Sequence, residues 1–335
     1  MHWARIEEAG FAGGIRFLFW VYRRGGAALF RVLLRGVMLW FFLGHGSARR
    51  ASLEYLARLH KASGGATPPP TLRNSFRHFM SFGETIAVKL AASDPDKAWD
   101  APYAAEGIEH LERLIGEKRG ALIITAHFGN LELCRRLSRD RHRGIRLLLL
   151  VHTRHAERFN RILKSLDPEM GIETIEVGAV GLITAMRLSE HISGGGFVVI
   201  AGDRVPLAPG GSTLAASFLG GSAHFPMGPY ILAAALACPV FVMFSARHGR
   251  GFVVTARLLA ERVVVPRGAR EAAIRPYLEA YVAALAGECR KHPLQWFNFF
   301  PFWQAEDRGQ NTAANAAFEI RHQPPEGVKH AHTDH

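Results

Sequence analysis

His127 and Glu132 are the residues whose types and spacing most directly suggest chemistry. They lie in "ITAHFGNLELCRRL", residues 123–136, where an apolar run stops at a histidine and a glutamate follows five positions on. An imidazole near its ordinary pKa of about 6.5 accepts a proton readily at neutral pH. A carboxylate on the other ring nitrogen would fix the tautomer and stabilise the imidazolium. Glu132, expected in the first turn of a helix, is placed to reach back across the loop, and a helix N-terminus favours its ionised form. No serine or cysteine beside the histidine offers itself as a nucleophile, so the pair suits direct deprotonation of a substrate hydroxyl. Taken alone, this spacing favours a structural explanation over a catalytic one.

The elements needed to position the pair can be read from the hydrophobic pattern. "ALIITA" before His127 is a continuous apolar run and predicts a buried strand. The following "NLELCRRLSR" predicts a helix with Asn130 at its cap. Further strands are expected at "IRLLLLV", "FVVIAGD", "PVFVMFSAR" and "GFVVTARLL". Helices are expected at "GSARRASLEYLARLHKASGG", "LRNSFRHFMSFGETIAVKLAA", "EGIEHLERLIGEKRG" closed by Gly120, "HAERFNRILKSL", "AVGLITAMRLSEHISGGG", "GPYILAAALAC" and "REAAIRPYLEAYVAALAGECRKHP". Strands alternating with helices predict an α/β fold: a mixed, mostly parallel central sheet flanked by helices. In such sheets ligands bind beyond the carboxyl ends of the strands, which is where His127 lies. The expected organisation is a membrane-associated segment over 1–48, an α/β domain over 49–303 and a polar, disordered tail over 304–335.

Charge and composition narrow the function further. The 335 residues carry 41 Lys+Arg against 29 Asp+Glu, a net charge of +12. Two stretches hold the whole excess: residues 1–50, with eight arginines and two glutamates, and residues 135–164, with nine arginines and one lysine against two acids. A polyanionic partner is implied. Neither stretch carries a recognisable nucleic-acid module, which disfavours that class. The three cysteines, Cys134, Cys238 and Cys289, show no disulfide or metal-ligand spacing. Nucleotide-binding glycine loops, G-x-S-x-G and H-E-x-x-H are all absent from the sequence.

"GIRFLFWVYRRGGAALFRVLLRGVMLWFFL", residues 14–43, is apolar but studded with arginine. On a helical wheel Arg16, Arg23, Arg24, Arg31 and Arg35 fall within an arc of about 120°. The rest of the wheel is Phe, Leu, Trp, Val and Met. This is the pattern of a basic amphipathic helix lying in a membrane surface, with Gly25-Gly26 as a break point; a tilted single span or a helix docked on its own core are the alternatives.

The longer blocks carry a resemblance. "HFGNLE" at a strand end resembles the H-x-x-x-x-[DE] motif of the glycerolipid and lipid A acyltransferases. "VHTRHAERFNRIL", "SGGGFVVIAGDRVP" and "TLAASFLGGSAHFPMGPYILAAALACPVFVMFSAR" resemble the later blocks of the bacterial lipid A acyltransferase branch, in matching order over roughly residues 15 to 303. The resemblance implies transfer of a fatty acyl chain from an acyl thioester, carried by acyl carrier protein or coenzyme A, to a hydroxyl of a lipid or glycolipid. It makes His127 the general base and Glu132 its orienting partner, with no cofactor and no metal. It places Asn130, Arg154, Asp203 and Arg204 at the substrate, with Arg154 on a phosphate. It also implies the cytoplasmic face of the bacterial inner membrane, anionic lipid as a surface and an acidic carrier protein on the 135–164 patch. "GDRVP" departs from the further acidic residue of many lipid A enzymes, which opens the acceptor, and the arginine-rich start resembles members associated with aryl polyene lipids. Phe128, Phe218, Phe225 and Met227 are candidates for an acyl groove, or else plain core. The aromatic "HPLQWFNFFPFW" fits a chain tunnel, a membrane contact or a core-closing element. Competing readings are a thioester hydrolase using the same pair and a non-catalytic membrane-surface protein.

Overall fold

A computed structural model describes residues 11–92, 102–130, 145–151, 173–176, 182–205, 212–249, 251–266 and 268–303. Glu132, Arg154, the 135–164 basic stretch apart from residues 145–151, the helices expected at "NLELCRRLSR" and "HAERFNRILKSL", and the tail from 304 lie outside these residues.

The described residues begin with three helices, α1 (Phe11–Gly44), α2 (Gly46–Ala62) and α3 (Leu72–Ala92). It continues through β1 (Tyr103–Glu106), α4 (Glu109–Gly116), β2 (Ala121–Thr125), β3 (Leu147–Val151), β4 (Glu173–Glu176), α5 (Leu182–Ser193) and β5 (Phe197–Ala201). A hairpin of β6 (Thr213–Phe218) and β7 (Gly221–Pro226) follows, then α6 (Gly228–Leu236), β8 (Val240–His248), β9 (Gly251–Ala260) and α7 (Arg270–Lys291). Seven strands form one sheet in the order β1-β9-β8-β2-β5-β3-β4, while β6 and β7 pair separately. Strands β8, β2, β5, β3 and β4 run parallel, and the sheet reverses only between β8 and β9. The mixed, mostly parallel sheet read from the sequence is therefore the fold.

The register of β2 explains its unbroken apolar sequence. It is a central strand between the parallel β5 and β8, and each of its two faces packs into an apolar core. Side chains alternate across a strand. Leu122 and Ile124 enter the large core with Tyr55, Leu56 and Leu59 of α2 and with Ile274, Leu278, Tyr281 and Leu285 of α7. Ala121 and Ile123 enter a second core with Leu114 of α4. Val198 and Ile200 of β5 follow the first pattern, and Phe197 and Val199 the second.

Two local expectations change. Helix α1 runs without interruption through Gly25-Gly26; glycine lowers helix propensity but keeps its N–H, so the ladder is not broken there. Helix α4 ends at Gly116, and Lys118 with φ 53° turns the chain. Gly120 instead serves close approach at the start of β2, because a Cβ there would lie 2.1 Å from the Gly196 carbonyl oxygen.

The helical layer packs through one face of α1. Phe30, Leu34, Met38 and Phe42 recur every fourth residue and meet Phe79 of α3 in a third apolar cluster. The opposite face leaves Leu29, Val32, Leu39, Trp40 and Leu43 exposed, Trp40 at 71% and Leu43 at 66%. Arg24, Arg31 and Arg35 are exposed as well. Among the described residues no single helix is long and apolar enough to cross a membrane; Leu29–Gly44 with Gly46–Ala62, bent by 95°, passes only as a pair.

Candidate active site

His127 emerges two residues after β2, and Asp203 two residues after β5. Because β2 and β5 pair in parallel with Thr125 opposite Ala201, their ends bring the two side chains together across 76 residues of sequence. The His127 Nδ1 lies 2.8 Å from Asp203 Oδ1, and the His127 backbone N–H donates to Oδ2 at 2.9 Å. The Trp296 indole N–H donates to the same Oδ2 at 3.0 Å. A carboxylate only accepts, so Nδ1 carries the proton and the neutral imidazole presents its lone pair at Nε2. The His127 side chain is 37% exposed, while that of Asp203 is 3% exposed. Burial alone would raise the Asp203 carboxyl. The charge His127 carries when protonated, its hydrogen bonds and the charge of Arg204 outweigh that and bring it down to about 2.

Asp203, which the resemblance places at the substrate, is buried and occupies Nδ1 of His127, the position a tautomer-fixing carboxylate takes. Arg204 is half-buried beside it, with its guanidinium 5.7 Å from the centre of the Phe300 ring. Burial lowers the Arg204 pKa, and the Asp203 charge opposes that.

The loop after His127 is held by backbone. Phe297 N–H donates to the His127 carbonyl at 2.8 Å, and Gly129 N–H donates to the Gln295 carbonyl at 2.7 Å, so 127–129 and 295–297 form a short antiparallel bridge. Gly129 sits at φ 54°, and a Cβ there would fall 1.6 Å from the Ser245 carbonyl oxygen. Only glycine satisfies both the left-handed backbone and the contact. Asn130 is buried, and its N–H donates to the same Ser245 carbonyl at 3.2 Å.

Asn130 also lines a polar cavity of about 240 Å³. Ser81, Glu84 and Thr85 of α3 form one wall, and Arg247, Phe252 and Gln295 the other. Arg247 pairs with Glu84, joining the two. The Gln295 amide bonds both the N–H and the carbonyl of Arg247 at 2.7 Å, which fixes that wall. The apolar groove candidates are placed differently. Phe128, Phe218, Phe225 and Met227 are all buried in the main core, as are Trp296, Phe302 and Trp303 from the aromatic C-terminal stretch. That stretch is the core-closing element.

Sequence reading missed Trp296, Tyr281 and His78 as supports of this site. Tyr281 Oη donates to the Thr125 carbonyl at 2.9 Å, bracing the end of β2. The signal available for Trp296 was a polar-capable aromatic inside "LQWFNFF", and nothing in that run says which strand end it meets. Among the described residues no group of His, Cys, Asp and Glu could hold a metal ion.

The family model for bacterial lipid A biosynthesis acyltransferases matches residues 65–305 of the chain. No curated protein matches it.

Proposed function

Since the chain belongs to the bacterial lipid A biosynthesis acyltransferase family and is thus an acyltransferase of lipid biosynthesis, we propose that it transfers a fatty acyl chain from a thioester to a hydroxyl of a lipid or glycolipid, with His127 as general base. One observation supports this above the others: Asp203 takes Nδ1 of His127 and leaves the basic lone pair on Nε2, at the carboxyl end of the central strand. In the proposed reaction Nε2 takes the acceptor's hydroxyl proton as its oxygen attacks the thioester carbonyl. The C–O bond forms, the C–S bond breaks, and the imidazolium returns the proton to the departing thiolate. No covalent acyl-enzyme and no cofactor is needed. Glu132, five residues on, would supply a second carboxylate beside the base, for the acceptor. Asn130, Arg154 and Arg204 would bind substrate, with the Asn130-lined cavity receiving a polar part of it.

The donor we infer is an acyl carrier protein thioester, whose acidic surface suits the arginines of residues 135–164. The site of action we infer is the cytoplasmic face of the bacterial inner membrane. There the uncovered apolar side of α1 would lie among acyl chains, with Arg24, Arg31 and Arg35 near anionic headgroups.

The test is incubation of membranes containing the full chain with labelled acyl carrier protein thioester, and identification of the acylated lipid by mass. His127→Ala and Glu132→Ala should each lower transfer on the order of 10² to 10⁴. Release of free fatty acid with no acylated lipid would instead establish a thioester hydrolase. Full transfer by both variants would remove the site assignment.

A further inference from the structure

We propose that Trp296 is a positioning residue for the His127–Asp203 pair, holding the carboxylate through its indole N–H while its own carbonyl is anchored by His78. The kinetic part of this proposal rests on the acyl-transfer reading; the structural part does not.

The carboxylate is held at both oxygens. Oδ2 accepts from the His127 backbone and from the Trp296 indole, and Oδ1 meets the imidazole. Rotation of the carboxyl would break two bonds at Oδ2, so Oδ1 stays fixed on Nδ1. Trp296 is itself immobile. Its ring is fully buried, with Phe302 at 4.9 Å and Tyr55 and Phe218 at 5.1 Å between ring centres. Its backbone pairs with Phe128 in the bridge that carries His127.

Behind Trp296 runs a buried chain of hydrogen bonds into the helical layer. His78 of α3 is fully buried, and burial pulls its pKa down to about 4, so it is neutral at physiological pH. Its Nε2–H donates to the Trp296 carbonyl at 2.8 Å, which leaves Nδ1 to accept from the Ser52 hydroxyl of α2 at 3.0 Å. Ser52 in turn accepts from the Ser75 hydroxyl at 2.9 Å. Every donor in this series meets an acceptor, from Ser75 through Ser52 and His78 to the Trp296 carbonyl. Burying three polar side chains in an otherwise apolar layer is costly unless each is satisfied. Here they fix the residue that touches Asp203.

The sign of the effect follows from electrostatics. Removing the indole N–H concentrates negative charge on the carboxylate, tightens its hold on Nδ1–H and makes the imidazole more basic. Among the described residues, the groups facing the pair are Arg204 beside Asp203 and Tyr281 and Cys289 from α7, with Tyr55 of α2 against the Trp296 ring and His78 behind the Trp296 carbonyl; Glu132 is the further carboxylate of the proposed site. All are retained in Trp296→Phe.

The experiment compares Trp296→Phe with Trp303→Phe in the full chain in detergent. Trp303 is the matched control: it is buried in the same aromatic cluster and its indole N–H goes to the Phe218 carbonyl at 3.1 Å, away from Asp203. In Trp296→Phe the acid limb of the pH–rate profile should move to higher pH by about half a unit or more, and kcat at neutral pH should fall about tenfold with KM little changed. NMR titration of the His127 ring should show the same upward move without any turnover. Trp303→Phe should leave both readings in place. An unmoved ring titration in Trp296→Phe, or an equal move in Trp303→Phe, overturns the proposal. If Trp296→Phe fails to fold, benzothienylalanine at position 296 removes the N–H and keeps the ring shape, and the same outcomes decide. A wild-type chain that transfers no acyl group would sink the proposed function, yet the ring titration would still decide the role of Trp296.

Discussion

Replacing Asp203 with asparagine should inactivate the protein by moving one proton. In the structure Oδ2 accepts two N–H groups and Oδ1 faces Nδ1 of His127. Asparagine keeps a single carbonyl oxygen. If that oxygen stays with the backbone and indole donors, the amide NH₂ points at Nδ1, which must then act as acceptor. The imidazole proton moves to Nε2, and the basic lone pair is lost from the atom that needs it. The flipped amide would instead press NH₂ against two buried N–H donors, a worse arrangement by the cost of two unmet bonds. Loss of the correct tautomer costs on the order of 10³ to 10⁴ in kcat, or about 4 to 5.5 kcal/mol of barrier. Asp203 is only 2% exposed, so KM should hardly move. The assay is steady-state transfer from labelled acyl carrier protein thioester, with a melting curve to confirm folding. A fall of less than tenfold, or a rise in KM at unchanged kcat, would refute the reasoning that Asp203 sets the tautomer.

Gly129→Ala should lower stability by at least about 2 kcal/mol, seen as a lower Tm, because a Cβ meets the Ser245 carbonyl and the backbone is left-handed there; transfer should fall with it, and a wild-type Tm would contradict the loop geometry. His78 binds a proton less readily when folded than its ordinary 6.5, so stability is complete above pH 6.5 and declines as pH falls toward about 4. That decline is about 3 kcal/mol and should flatten in His78→Asn, as measured by urea unfolding across this range. Trp40→Glu with Leu43→Glu should reduce sedimentation with vesicles of mixed anionic and zwitterionic lipid by about tenfold or more; undiminished binding would mean that this face of α1 is not the one that meets lipid.

What could be read from the sequence depended on whether the signal was local. Helix α3 matches "LRNSFRHFMSFGETIAVKLAA" residue for residue, because its amphipathic spacing and its proline-rich lead are both contained in the segment. β2, β5 and β8 were legible because burial on both faces leaves an unbroken apolar run. β1, "YAAE", and β4, "ETIE", were not: both are four-residue edge strands without such a run. The β6–β7 hairpin was recognised as a sequence block rather than as strands, although Leu219 and Gly220 at positive φ make its turn. The site divides in the same way. His127 was legible as a residue at a strand end. The role of Asp203 was not, since it depends on β5 lying beside β2, a matter of sheet order. Trp296 is further still from local inference, being brought in by the closing stretch after α7.

The bridge between residues 127–129 and 295–297 also bears on when the protein becomes active. The Phe297 N–H and the His127 carbonyl are 170 positions apart, so the loop bearing His127 is among the last parts to acquire its partners as the chain is made. Ribosome-bound precursors that end before Gln295 would hold the sheet strands and the histidine but neither the indole nor the bridging backbone. On the proposed reading, an enzyme assembled in this order would gain its transfer activity only once this closing stretch has been made.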